Sequence, residues 1–124
     1  MSIQKLEDLK VWQEARILMK MVYKIITKFP KSEEYNLKRH MRECARNVMG
    51  NIAEGFGRYH FQESIQFYRI ARGSLVELKS DSYASFDADY LSNGDLNNLV
   101  EQEDKVVKML NSLIDSTIKL KRKD

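Results

Sequence analysis

The chain of 124 residues is long enough for one hydrophobic core, and at 43% apolar and 31% charged it has the balance of a globular rather than a disordered protein. A single cysteine excludes an internal disulfide framework, and no apolar run approaches the roughly 20 residues that span a bilayer. The net charge of +3 hides a segregation: residues 1–72 hold 14 Lys/Arg against 8 Asp/Glu, residues 73–118 hold 3 against 9, and residues 119–124 hold 4 against 1.

That distribution suits an anionic partner, head-to-tail contact between copies, or a solvated surface balanced within the fold. The first residues lack the apolar core of a secretion signal, so a cytoplasmic address with no membrane association is expected. Five glycines and one proline leave little turn material, which predicts few and long elements.

Asp8 is a suitable N-cap for a first helix over 8–29, which Pro30 stops. Val11, Ala15, Leu18, Val22, Ile25 and Phe29 recur at spacings of three and four and form its core stripe. Lys10, Arg16, Lys20, Lys24 and Lys28 occupy the opposite face. At about 100° per residue, Ile17 and Met21 fall among them, one turn apart, and are candidates for an oligomer interface. Ser32 and the pair Glu33-Glu34 suit the start of a second helix over 33–54. Its core face is Leu37, Met41, Cys44, Ala45, Val48 and Ile52. Arg39, Arg42 and Arg46 share another face and make the densest basic patch in the chain.

The stretch Asn51-Ile52-Ala53-Glu54-Gly55-Phe56-Gly57-Arg58 reads as a helix stop and structural turn, with Gly55 and Gly57 supplying left-handed backbone. Glu54 opposes the negative end of the helix dipole there and needs a partner: Arg58, Arg46 or the turn amides. A third helix follows over 61–87. Gly73 lies inside it, on the face of Gln66, Ile70 and Glu77, as expected where another backbone packs closely, and joins Ile17 and Met21 as a candidate for an oligomer interface. Ser92 and Asp95 resemble a capping box ahead of a fourth helix over 95–121. Glu103 falls on the apolar stripe of that helix, near a bundle end or paired across a contact. The basic run Lys119–Lys123 suits its C-terminus. No alternating strand pattern occurs. The fold class expected is all-α, an antiparallel up-down-up-down four-helix bundle.

Catalytic patterns are missing. Neither His40 nor His60 stands in a metal-ligand spacing with carboxylates or cysteine, and no phosphate loop or nucleophile elbow is present. Cys44 lies i, i+4 from His40 but on a core stripe, where it reads as a buried small hydrophobe. No enzyme activity, metal or cofactor is expected. Nucleic-acid binding has more support, from Arg39, Arg42, Arg46 and Arg58 together with Lys20, Lys24 and Lys28. Tyr35 and Tyr59 are candidates for stacking on bases. Spacing alone does not separate phosphate contacts from ion pairs with residues such as Glu43.

Three segments carry a family resemblance: Leu6-Glu7-Asp8-Leu9-Lys10-Val11-Trp12-Gln13-Glu14-Ala15, the Asn51–Arg58 stretch, and Phe67-Tyr68-Arg69-Ile70-Ala71-Arg72-Gly73-Ser74-Leu75-Val76-Glu77-Leu78. In this order they resemble a bacterial four-helix-bundle family. It includes proteins encoded in intervening sequences of large-subunit ribosomal RNA genes and the accessory variability determinant of diversity-generating retroelements. The resemblance implies a homopentameric barrel without catalysis. For retroelement members it implies a reverse transcriptase and RNA or DNA as partners. It also implies that Arg42, Arg58 and Arg69 stand where the family carries arginine, which makes them candidates for contact with an anionic partner. The function expected is a non-enzymatic nucleic-acid-binding or accessory protein. The alternative is a structural homo-oligomer or protein-interaction module.

Overall fold

A computed structural model describes the backbone of residues 5–123 and the side chains of residues 5–122. Four helices make up the bundle: α1 (Lys10–Ile25), α2 (Leu37–Phe56), α3 (Phe61–Asp87) and α4 (Asn93–Lys123). Short 3-10 turns cover Leu6–Asp8, Ile26–Lys28 and Lys31–Glu33. No strand occurs among the described residues. Neighbours in sequence pack side by side, and α4 closes the ring against α1. Ties between Glu14 and Gln102 and between Lys28 and Asp95 run α1 antiparallel to α4, and His40 against Asp81 with Gly55 against Tyr68 does the same for α2 and α3. The result is the up-down-up-down bundle that the apolar periodicity predicts.

The core consists of the predicted stripes. Leu18, Val22, Met41, Val48, Ile52, Leu75, Leu78, Leu99, Val106 and Leu110 are fully buried. At one end Phe29 packs on Tyr90, with ring centroids 5.3 Å apart, and the Tyr90 hydroxyl donates to Glu33 at 2.9 Å. The α1–α2 and α3–α4 connections are thereby tied together. That hydrogen bond is the main reason the Glu33 carboxyl is held below the usual carboxylate range.

The helix termini differ from the sequence expectation. Asp8 is not the cap of α1: it ends a 3-10 turn, and Leu9 precedes the helix with no side-chain cap. Nor does α2 begin at Glu33. Glu33 accepts hydrogen bonds from the Asn36 amide at 2.8 Å and the Leu37 N–H at 3.4 Å, so it caps the helix from outside while also accepting from Tyr90. The Ser92 cap is confirmed, with the Asp95 N–H donating to its Oγ at 3.0 Å. The Asp95 carboxylate does not complete a box; it faces Lys28 at 3.4 Å. The basic run at the end of α4 remains helical through Lys123, whose side chain, like Asp124, lies outside the described residues.

The largest correction concerns the central stretch. Asn51, Glu54 and Gly55 are not turn residues; α2 continues through them to Phe56. Asn51 donates back to the Asn47 carbonyl at 2.8 Å, a bond within the helix. Gly57 ends the helix with φ −82°, an ordinary right-handed value. No described glycine has positive φ. The left-handed residue is Asp89, at φ 66°, after α3. Around it the Tyr90 N–H reaches the Ser85 carbonyl and the Asp89 N–H reaches that of Phe86, both at 2.9 Å. Aspartate tolerates this region, so a left-handed helix end formed without glycine.

Gly55 has a different job: a Cβ placed on it would lie 2.5 Å from Cε1 of Tyr68 and 3.0 Å from the Ser64 carbonyl oxygen. It is a close-approach residue between α2 and α3. Gly73, for which that role was expected, has nothing within 4 Å of such a Cβ, so no backbone of this chain packs on it. Gly50 is equally open. Gly50→Ala and Gly73→Ala are therefore each expected to stabilise the monomer fold by about 0.5–1 kcal/mol, because alanine restricts the unfolded chain and favours helix. Urea denaturation measures this, and a loss of stability in either variant contradicts it.

Candidate nucleic-acid interface

The basic side chains do not form one surface. On α2, Arg39 pairs with Glu43 at 3.0 Å. Arg42 pairs with the Glu34 carboxylate at 3.0 Å and also donates to the Glu34 carbonyl at 3.3 Å. Glu34 is held below the ordinary carboxylate range, first by Lys38 and then by Arg42. Arg58 pairs with Glu54 at 3.0 Å and lies 4.7 Å over the ring of Phe67. That contact names the partner of Glu54: Arg58, one turn on. These three arginines, expected to face phosphates, already have carboxylate neighbours.

Lys20, Lys24, Arg46 and Arg69 make no ion pair among the described residues. They do not share one surface: Arg46, Lys24 and Arg69 border three different grooves. Arg46 borders a shallow groove of about 510 Å³ between α1 and α2, lined by Trp12, Met19, Tyr23 and Met49. Arg16 extends over Trp12, 5.9 Å from the ring centroid. Lys20, one turn on from Arg16, falls on the outer face of α1 beside that groove, whereas Lys24 lines the α1–α4 groove with Met21 and Lys28. The α1–α2 corner thus combines unpaired cations with aromatic surface. Arg69 lies at the α3–α4 corner, in a cavity of about 330 Å³ with Gln62, Lys121 and Arg122. The i, i+3, i+7 spacing marks α2 but carries no sign of Arg16, Trp12 and Tyr23, because their grouping with Arg46 depends on how α1 packs against α2. Tyr35 and Tyr59 are both highly exposed, at 85% and 90%. They flank opposite ends of α2, which is about 30 Å long, so the two do not share a site.

The expected oligomer contacts also separate. Ile17 is exposed at 44% on α1. Met21 lies beside Lys24 and Lys28, as expected, but it is half-buried against the core in a groove of about 300 Å³ between α1 and α4 with Ile25 and Leu99. On α3, Ile70, Val76 and Tyr83 are exposed on the side that carries Gly73.

A polar cluster joins α2 to α3, contrary to the expectation that neither histidine has metal-ligand neighbours. His40 meets Asp81 through Nδ1, and its Nε2 lies 3.4 Å from Glu77 Oε2. Cys44 Sγ is 3.7 Å from His40 Nε2 and 3.7 Å from Glu77 Oε2. The sequence signal was two i, i+4 pairs, His40/Cys44 and Glu77/Asp81, which face each other only once the register of two antiparallel helices is known. The Asp81 hydrogen bond raises the His40 pKa, against the lowering effect of burial. Burial, with the nearby carboxylates, pushes the Cys44 thiol up to about 12. At neutral pH Cys44 is a protonated thiol, a poor nucleophile.

No described helix is long and apolar enough to cross a membrane. A family model described as 23S rRNA-intervening sequence protein matches residues 7–112. The fold is similar to a crystal structure of a protein of unknown function from the S23 ribosomal protein family of Bacteroides thetaiotaomicron. That likeness has a TM-score of 0.76 and 15% identity, and covers 84% of this chain and 97% of the other. No curated protein matches the sequence significantly.

Proposed function

The chain belongs to the 23S rRNA-intervening sequence protein family, and from that premise we propose a non-enzymatic, cytoplasmic protein that binds RNA through its α1–α2 corner. The observation that carries the reading is the association of Arg46, Arg16 and the neighbouring Lys20, without carboxylate partners among the described residues, with the Trp12–Tyr23 groove. Unpaired cations release counterions when they meet phosphates, and aromatic rings accept stacked bases. Arg39, Arg42 and Arg58 contribute less, because a phosphate has to displace a carboxylate from each.

Fluorescence anisotropy with labelled single-stranded RNA at increasing salt tests this. Binding should fall steeply with salt, and each cation lost in Arg16→Ala, Lys20→Ala or Arg46→Ala should reduce the slope of log K against log salt by about 0.7. Arg39→Ala should change the slope far less. Binding that is absent, or indifferent to salt, sinks the reading.

The exposed apolar side chains on α3, together with Ile17, favour a second reading, a homo-oligomer or protein-interaction module with no nucleic-acid role. The pentamer implied by the resemblance belongs to either reading. Analytical ultracentrifugation at micromolar concentration tests it, and a monomer there removes the pentamer from both.

A further inference from the structure

We propose that His40, Cys44 and Glu77 form a surface site for a divalent transition-metal ion of the zinc type, with Asp81 positioning the histidine. The donor atoms His40 Nε2, Cys44 Sγ and Glu77 Oε2 stand at the corners of a triangle with edges of 3.7, 3.7 and 3.4 Å. Around a tetrahedral Zn²⁺, with bonds of about 2.0–2.1 Å to nitrogen or oxygen and about 2.3 Å to sulfur, such edges come to about 3.3–3.6 Å. The triangle therefore already has the size of one face of a zinc tetrahedron.

The surroundings fit the same chemistry. Asp81 engages Nδ1, the ring nitrogen that the metal does not use. This is the carboxylate–histidine–metal arrangement that fixes the ring and its tautomer. His40, Cys44 and Asp81 also place ligand atoms within 4.8 Å of one another, so Asp81 closes the cluster on the side of the ring away from Glu77. Cys44 is the buried corner, and the Glu77 and His40 side chains are 64% and 46% exposed. The metal enters from solvent, and the fourth position faces water. A mixed nitrogen, sulfur and oxygen donor set suits a borderline cation better than magnesium or calcium, which prefer all-oxygen shells. On binding, the Cys44 sulfur forms the metal–sulfur bond and its proton leaves to solvent. The ion then ties α2 to α3 near the middle of the bundle.

Titration of the reduced 124-residue protein with Co²⁺ tests the site. The expected result is a one-to-one complex with a thiolate-to-cobalt charge-transfer band in the near ultraviolet, bleached by added Zn²⁺. Cys44→Ser removes the band. His40→Gln and Glu77→Gln, at exposed positions where folding is not at stake, weaken Co²⁺ binding at least tenfold. Asp81→Asn weakens it about 10–100-fold while keeping the band, as expected of a positioning residue. Helical circular dichroism confirms that each variant is folded. No binding at micromolar Co²⁺, binding without the band, or a band that survives both His40→Gln and Glu77→Gln overturns the site.

Discussion

Gly55→Ala is expected to destabilise the fold by roughly 1–3 kcal/mol, even though alanine is the better helix former. The added methyl carbon would lie 2.5 and 2.7 Å from two ring carbons of Tyr68 and 3.0 Å from the Ser64 carbonyl oxygen. Tyr68 is 5% exposed, so its ring cannot swing into solvent, and the Ser64 oxygen belongs to the backbone of α3. Relief requires α2 and α3 to separate, which loosens the packing of Ile52 and Leu75 in the core between them. Urea denaturation of Gly55→Ala beside Gly50→Ala makes the comparison internal, because both glycines are in the same helix and only one has a neighbour. In Gly55→Ala/Tyr68→Leu, which removes the clashing ring, the two losses should add to less than their sum. Full additivity, or a Gly55→Ala protein as stable as the parent, would falsify the close-approach role.

Glu103→Gln is expected to gain stability relative to the parent as pH rises from about 4.5 to 7, by about 3 kcal/mol in total. Glu103 is fully buried on α4. Its Oε2 accepts a hydrogen bond from Ser82 at 2.8 Å, while Oε1 has no partner. Burial pushes its pKa from 4.5 to about 7; Asp104 and Asp81 add to the rise, and Ser82 and Lys79 oppose it. Below pH 4.5 the carboxyl is protonated in both folded and unfolded chains and has no effect on the balance. Between 4.5 and 7 the unfolded chain loses this proton and the folded chain keeps it, so stability falls as pH rises. Above about 7 both states are ionised and the loss is complete. Glutamine cannot ionise, so the difference between the two proteins should climb through that window and then level. Parallel urea denaturation at pH 5, 6, 7 and 8 measures it. A difference that stays constant across this range contradicts the assignment.

These two residues show where reading a sequence stops. Glu103 was legible as an acid on an apolar stripe, and pairing across a contact was one of its two expected fates. Its depth, and Ser82 as the partner, came from the packing of α3 against α4. Gly55 was legible as special but for the wrong reason. A glycine near the end of a periodic run reads as a helix stop, because one sequence cannot show what passes its Cα. Gly73, expected to admit another backbone, has open space around it within this chain. The basic patch had the same limit. Spacing placed Arg39, Arg42 and Arg46 on one face of α2, yet Glu43 and Glu34 occupy two of them. The third borders a groove whose other wall, with Trp12 and Tyr23, belongs to α1.

By itself, then, the sequence determined four helices, their core faces and the order in which they pack. Those properties depend on residues three or four apart along one helix, and on connections too short to allow any other neighbour. Only the tertiary structure decided which arginines stay unpaired, which glycine faces a ring, and that His40 and Cys44 meet Glu77 and Asp81. Each of these depends on the axial register between two helices. A shift of one turn, about 5.4 Å, keeps the apolar stripes facing but exchanges every polar contact across the seam. Register is set by how the whole core interlocks, and no local pattern in the chain records it.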